Sequence, residues 1–284
     1  MNKDTIIIYH GDCSDGFGGA WSAWKKFGES ADYFGAHHGD EPPQELKDKV
    51  IYFIDFVYPR PIMEVLKKAN KKIIIIDHHK TASDTIELAD EKLFDMENSG
   101  AVLSWQYFHP DKEIPTIIRH IEDRDLWNWN MSGTREVLAS FDLLSQDFQS
   151  WDSAILDFDN SDEKRKGFVA NGGLLMLQWN NLCEDIIKDD AVLVEFEGIR
   201  TYSVNASSVF ASDLGNMLSK KLSPIAIVWH QKEDGNFVVS LRSDGTCDVS
   251  EIAKKYGGGG HSAAAGFRIL ADNPFPWKII KKDV

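Results

Sequence analysis

The chain has 284 residues, enough for one large or two modest domains, and 43% of them are apolar, enough for a real core. Its net charge of −14 argues against a protein that grips long duplex nucleic acid, which needs extended Lys/Arg surface, but leaves room for a phosphorylated substrate held through cations. No apolar run approaches the ~20 residues that span a bilayer, the apolar run near the N-terminus is too short for a signal peptide, and three scattered cysteines (Cys13, Cys183, Cys247) imply neither a disulfide framework nor a zinc ribbon; a cytoplasmic chain without a membrane partner is expected.

The first 80 residues alternate strand and helix. Thr5–Tyr9 is an apolar, β-branched run, and 16–27 carries small and aromatic residues at helical spacing. A short strand at 32–34, a strand at 50–54, a helix from Pro61 to Ala69 and a strand at 72–76 follow. This rhythm predicts an α/β fold with a parallel sheet and helices on both faces, its ligands lying beyond the carboxyl ends of the strands. Helices are expected at 101–108, 115–121, 135–144 and 162–187, the last with a bend at Gly172-Gly173. The texture then changes to strands at 191–196, 200–204, 224–229 and 237–241, the final pair joined through Asp234-Gly235-Asn236, with helices at 209–218 and 249–256. A domain boundary is placed near residue 190, giving domains 1–188 and 191–284, the second a smaller mixed α/β domain.

Acids and histidines gather at the ends of these elements. His10, Asp12 and Asp15 follow the first strand, Asp55 the third, Asp77-His78-His79 the fourth, and Asp123 ends the 115–121 helix. An Asp after a strand is by itself most simply a turn residue or helix cap. Three parallel strands delivering Asp to one edge, two of them with His, instead suggest a metal centre. A mixed Asp/His set favours two Mn2+ ions sharing a bridging carboxylate, with Mg2+ and Co2+ as alternatives, whereas zinc more typically takes a Cys-containing or three-His set. His78 and His79 are neighbours in an extended chain and point to opposite sides. His78 is assigned as the ligand, His79 as the residue that polarises substrate, and Asp77 as the bridge.

At these residues the chain resembles the DHH phosphoesterase superfamily, which contains RecJ exonucleases, nanoRNases, cyclic-dinucleotide phosphodiesterases and family II pyrophosphatases. Asp77-His78-His79 looks like its name-giving motif; His10, Asp12 and Asp15 look like the first motif, Asp55 the second and Asp123 the fourth. One extra residue separates Asp12 from Asp15, so either both or only Asp15 joins His10, and Asp125 rivals Asp123. The C-terminal half resembles the DHHA1 substrate-binding domain through Ser240-Leu241-Arg242-Ser243 and the run from Gly257 through His261 to Gly266. The resemblance implies that Arg242, Ser243, Gly258, Gly259, Gly260 and His261 hold a phosphate. Glycines would let backbone N–H groups approach the anion, a helix begun by 262–265 would aim its dipole there, and Arg242 would offer a planar fork. Elsewhere His37-His38 reads as a solvated loop, Trp127 and Trp129 as core with base stacking as the alternative, and Cys13 as a non-catalytic small residue.

The implied chemistry is metal-assisted hydrolysis of a phosphodiester in a cleft between the domains, with His79, Asp77 and His78 in the catalytic roles. Short length and acidic surface favour oligonucleotides of two to five residues, linear dinucleotides such as pGpG or pApA included, and a monomer or homodimer. An exonuclease on longer single strands, a pyrophosphate or polyphosphate hydrolase, and a non-catalytic nucleotide sensor are the alternatives.

Overall fold

The structure is a computed structural model describing residues 3–280. Five parallel strands, β1 (Thr5–His10), β2 (Ala31–Ala36), β3 (Val50–Ile54), β4 (Lys72–Asp77) and β5 (Glu91–Phe94), form one sheet in the order β2-β1-β3-β4-β5. The isoleucine-rich strands are buried on both faces, as a parallel sheet covered by helices requires. Side chains alternate between two cores: Ile6, Ile8, Ile51, Phe53, Ile73 and Ile75 lie on one face, Ile7, Ile54, Ile74 and Ile76 on the other.

The helices of this unit are α1 (Ser14–Phe27), α2 (Arg60–Ala69), the single turn α3 (Ser83–Ile86), α4 (Gly100–Phe108), α5 (Thr116–Asp125), α6 (Thr134–Phe141) and α7 (Phe148–Asn160). Their aromatic core joins Phe17 and Trp21 of α1 to Trp105, Ile118, Phe141, Trp151 and Phe158. Three of these elements, α3, β5 and α7, have no counterpart among the predicted ones. The long helix α8 (Asp162–Asp190) runs unbroken through Gly172-Gly173, where a bend is anticipated. Gly172 serves close packing instead, since a Cβ there would lie 1.6 Å from the Glu136 carbonyl oxygen of α6.

The chain divides into two compact units, Met1–Met176 and Leu177–Val284. The second unit is a mixed sheet of β6 (Val192–Phe196), β7 (Ile199–Asn205), β8 (Ile225–Gln231), β9 (Phe237–Ser243), β10 (Gly259–Gly260), β11 (Ala264–Ile269) and β12 (Lys278–Ile279), ordered β10-β11-β9-β8-β7-β6-β12. Only β7 and β8 pair in parallel. Of its helices, α9 (Ala211–Lys221) covers one face together with Cys183 and Trp179 of α8, and α10 (Val249–Lys255) the other. Residues 262–265 do not begin a helix. Ala265, Phe267 and Ile269 are buried alternately, and this period of two makes the segment strand β11.

Candidate metal centre

Parallel strands bring their carboxyl ends to one edge, and the order β2-β1-β3 places a topological switch point there, where open α/β sheets bind ligands. β1 delivers His10, β3 is followed by Asp55, and β4 delivers Asp77 with His78 and His79 behind it. Asp55 leaves its strand with φ +56, a left-handed backbone uncommon outside glycine, while its N–H still donates to the Ile76 carbonyl at 2.9 Å.

Helix ends complete the edge. Asp15 lies in the first turn of α1, and Asp125 is the last residue of α5. The Asp15 carboxylate accepts hydrogen bonds from the Gly100 and Ala101 N–H groups at 2.7 and 2.9 Å, so the N-terminus of α4 holds it. Glycines allow this approach. A Cβ at Gly16 would meet the His10 carbonyl oxygen at 2.3 Å, and one at Gly100 would lie 2.7 Å from the Asp55 Cβ and 2.9 Å from Asp15 Oδ2.

The gathered side chains are closely spaced. His78 Nε2 lies 3.2 Å from Asp55 Oδ1, 3.5 Å from Asp125 Oδ2 and 3.7 Å from Asp15 Oδ2. On its other side Asp55 places Oδ2 3.5 Å from His10 Nδ1. Sets of candidate ligand atoms within 4.8 Å of one another come from His10, Cys13 and Asp55, from Asp55, His78 and His79, and from Asp15, His78 and Asp125. Burial and then the Asp55 and Asp125 charges raise the Asp15 carboxyl well above its ordinary range. Asp125 is raised by burial and by Asp55. The neighbouring Asp55 carboxylate, then Cys13, pushes His10 up to about 10. Burial opposes protonation of His78, but Asp55, Asp15 and Asp125 outweigh it and hold that imidazole at about 9.

These residues fit a pair of divalent cations. His10 Nδ1, Asp55 Oδ1 and His78 Nε2 are buried without hydrogen-bond partners. Leaving such groups unsatisfied costs roughly 1–3 kcal/mol each, a cost that bound cations would remove. Crowded carboxylates and imidazoles are also the donor set that hard or borderline dications prefer.

Several anticipated residues stand elsewhere. Asp12 turns outward at φ +53 with its side chain 91% exposed, and its Oδ2 meets His37 Nε2 at 3.1 Å. Asp123 is not brought to the cluster. It accepts from the Asn130 and Met131 N–H groups at 2.7 and 3.2 Å and from the Thr134 hydroxyl at 2.5 Å, and so ties down the segment after α5. Its rival Asp125 points into the cluster. Asp55, and not Asp77, lies between the two groups of ligands. Asp77 is buried, and its Oδ1 accepts from the His79 N–H at 2.7 Å and from His79 Nδ1 at 3.0 Å. His37 and His38 are exposed, as a loop predicts. Trp127 is not core: it is 50% exposed, at φ +58, edge-on to Trp129 at 5.0 Å. Cys13, read from the sequence as a non-catalytic small residue, lies with His10 and Asp55, and the 99–101 turn is not anticipated from sequence. Ser99 capping α4 just ahead of a glycine is the local signal for the latter.

In the second unit, Arg242 on β9 donates to the Ser212 hydroxyl and the Leu241 carbonyl, both at 3.0 Å. Gly215 clears its path, since a Cβ there would lie 2.4 Å from the Arg242 Cγ. Arg242, Ser240, Tyr256, the four glycines 257–260 and the start of β11 line a cavity of about 620 Å³. Gly258 and Gly260 press on β11, where added Cβ atoms would meet the Gly266 and Ala264 carbonyl oxygens at 2.1 and 2.6 Å. The Ser243 hydroxyl accepts from the Gly245 and Cys247 N–H groups, and the exposed His261 exchanges backbone hydrogen bonds with Ala264. Neither lines the cavity.

The family pattern described as the DHHA1 domain matches residues 191–274. An uncharacterised protein of Acanthamoeba polyphaga mimivirus is 31% identical over 294 residues, covering 94% of this chain and 68% of that protein. Oligoribonuclease NrnB of Bacillus subtilis is 28% identical over 236 residues, covering 71% of this chain and 54% of its own length. Among solved structures, a DHH domain assigned to a family of ribosomal proteins aligns with a TM-score of 0.65 at 12% identity, over 93% of this chain and 82% of that one, a likeness of fold. With its strand-end acids, its DHHA1 half and its mimivirus relative, the chain belongs to the DHH/DHHA1 superfamily of metal-dependent phosphoesterases.

Proposed function

We propose that this chain hydrolyses the phosphodiester bonds of short oligonucleotides, linear dinucleotides such as pGpG or pApA among them, with two divalent ions, Mn2+ favoured. The observation that carries the reading is the convergence of His10, Asp15, Asp55, His78 and Asp125 around buried polar atoms without partners. The oligoribonuclease relative supports the choice of substrate, as does the acidic surface. When bound, the ions supply charge that lowers the pKa of water from ~15.7 toward ~7 and neutralises charge on phosphate oxygens.

The protein's own groups do the rest. Asp15, fixed by two α4 amides, and Asp55, wedged between His10 and His78, hold their carboxylates without rearrangement. Asp77 binds His79 Nδ1 and keeps that imidazole's pKa raised, which leaves Nε2–H to donate to a phosphate oxygen as negative charge grows. Arg242 and the glycine-lined cavity hold a substrate phosphate. Trp127, exposed two residues beyond Asp125, presents a face for one base. Stacking of this kind contributes ~1–3 kcal/mol, so Trp127→Ala should raise KM for a dinucleotide roughly 5- to 150-fold with little change in kcat. An unchanged KM would remove Trp127 from the site.

The deciding assay offers Mn2+ and 5′-labelled RNA and DNA ladders, cyclic dinucleotides and pyrophosphate. Preference for two- to five-residue strands is expected. Cleavage of pyrophosphate alone, or of long DNA alone, would overturn the reading.

A further inference from the structure

Cys13 occupies the place where an acidic ligand is anticipated. The turn after β1 throws Asp12 outward and leaves Cys13 as the residue just ahead of α1, in extended conformation. There it offers Sγ within 4.8 Å of ligand atoms from both His10 and Asp55. Gly16, with no Cβ to hold the first turn of α1 off the His10 carbonyl, keeps this arrangement tight.

A second observation points to a ligand in the same pocket. His10 Nδ1, 3.5 Å from Oδ2 of the buried Asp55, is itself buried with no hydrogen-bond partner. A thiol is too weak a hydrogen-bonding group to satisfy this imidazole nitrogen. A cation bound by the sulfur, the imidazole and the carboxylate together would satisfy that nitrogen. The other pocket, of Asp15, His78 and Asp125, contains no sulfur. The two halves of the centre therefore differ in softness, and soft thiolate ligands favour Zn2+, Co2+ or Fe2+ over Mn2+ and Mg2+.

We infer that Cys13 is a thiolate ligand, and that the His10–Cys13–Asp55 pocket takes a thiophilic divalent ion while the Asp15–His78–Asp125 pocket takes a hard one. This rests on the two-ion reading above and divides its metal site into unlike halves. Binding releases the thiol proton to solvent, with no change of oxidation state.

The test is a titration of the metal-free protein with Co2+. The wild-type chain should develop a near-ultraviolet thiolate-to-cobalt charge-transfer band that saturates at one ion per chain. Cys13→Ser should lose the band and lose Zn2+ affinity by at least the roughly 10- to 100-fold that removing a mere supporting partner costs. Cys13→Asp, the acidic replacement, should bind Mn2+ at both pockets without the band, which separates ligand loss from misfolding. Iodoacetamide labelling of Cys13, followed by peptide mass, should be blocked by Zn2+, while labelling of Cys247 in the other unit stays constant. Two Co2+ bound by calorimetry with no charge-transfer band, or a band that survives in Cys13→Ser, would overturn this inference and leave the hydrolase reading standing. Failure to bind any divalent ion would overturn both.

Discussion

Asp123 and Asp125 are two residues apart on one helix and do opposite work. Residues at i and i+2 of a helix do not share a face. One carboxylate therefore reaches the strand-end cluster while the other turns toward the 130–134 segment. Asp125→Asn should abolish binding at one pocket, read by Mn2+ calorimetry, with little change in melting temperature of the metal-free protein. Asp123→Asn should retain metal and lose about 1–3 kcal/mol of stability, because it breaks buried hydrogen bonds to a charged acceptor. Burial opposes ionisation of Asp123, yet Thr134, Asn130 and Met131 hold its pKa below the ordinary value. A depressed carboxylate stabilises the fold above the ordinary pKa of ~3.9, and the contribution disappears as pH falls through the folded value. The stability gap between wild type and Asp123→Asn should therefore be full at pH 6 and close below about pH 4. A gap independent of pH would show that the charge is irrelevant. Sequence spacing could not choose between these two acids, since both lie in the last turn of the same helix and only the helix phase there decides.

At the scale of elements, legibility followed burial pattern. The strands at 50–54 and 72–76 are continuous apolar runs, and the structure keeps them with nearly the same bounds. β5 is short and carries Glu91 and Lys92, so it offers no run to read. α7 did carry a signal, Trp151, Ala154, Ile155 and Phe158 at helical spacing, among many acids. The Ser-Ala-Ala-Ala stretch at 262–265 has helix-favouring residues, but pairing of Ala264 and Ala265 with β9 overrides that propensity. The paired glycines of α8 give a sharp contrast. Gly172→Ala would drive a methyl group into the α6 backbone and should destabilise the first unit by about 1–3 kcal/mol, as overpacking does. Gly173 has open space around its missing Cβ, so Gly173→Ala should stabilise by about 0.4–1 kcal/mol. Equal effects in denaturant titrations would contradict the packing described for α8.

For the whole molecule, division into two compact units predicts that unfolding departs from a single two-state transition. All the proposed ligands belong to the first unit, and no helix among the described residues is long and apolar enough to cross a membrane. A ligand that binds only the native state adds about 2.7 kcal/mol at 100 times its Kd. Calorimetry with Mn2+ and then with chelator should therefore move the transition of residues 1–176 and leave that of 177–284 in place. Movement of neither would argue that no ion binds the folded chain. The composition foretold little of this, because the net charge, although it resides almost wholly in residues 1–176, comes from many acids of which only a few meet at the sheet edge.

Gly100 faces Asp55 and Asp15 at a distance where no side chain fits. One added carbon would splay the two carboxylates apart while leaving Arg242 and the glycine-lined cavity untouched. Gly100→Ala should then still retain a dinucleotide on a filter but release no product. On the proposed reading, a single methyl group here separates cleaving a nucleotide from merely retaining it, and a chain could cross that boundary in one mutational step with Arg242 and the glycine-lined cavity unchanged.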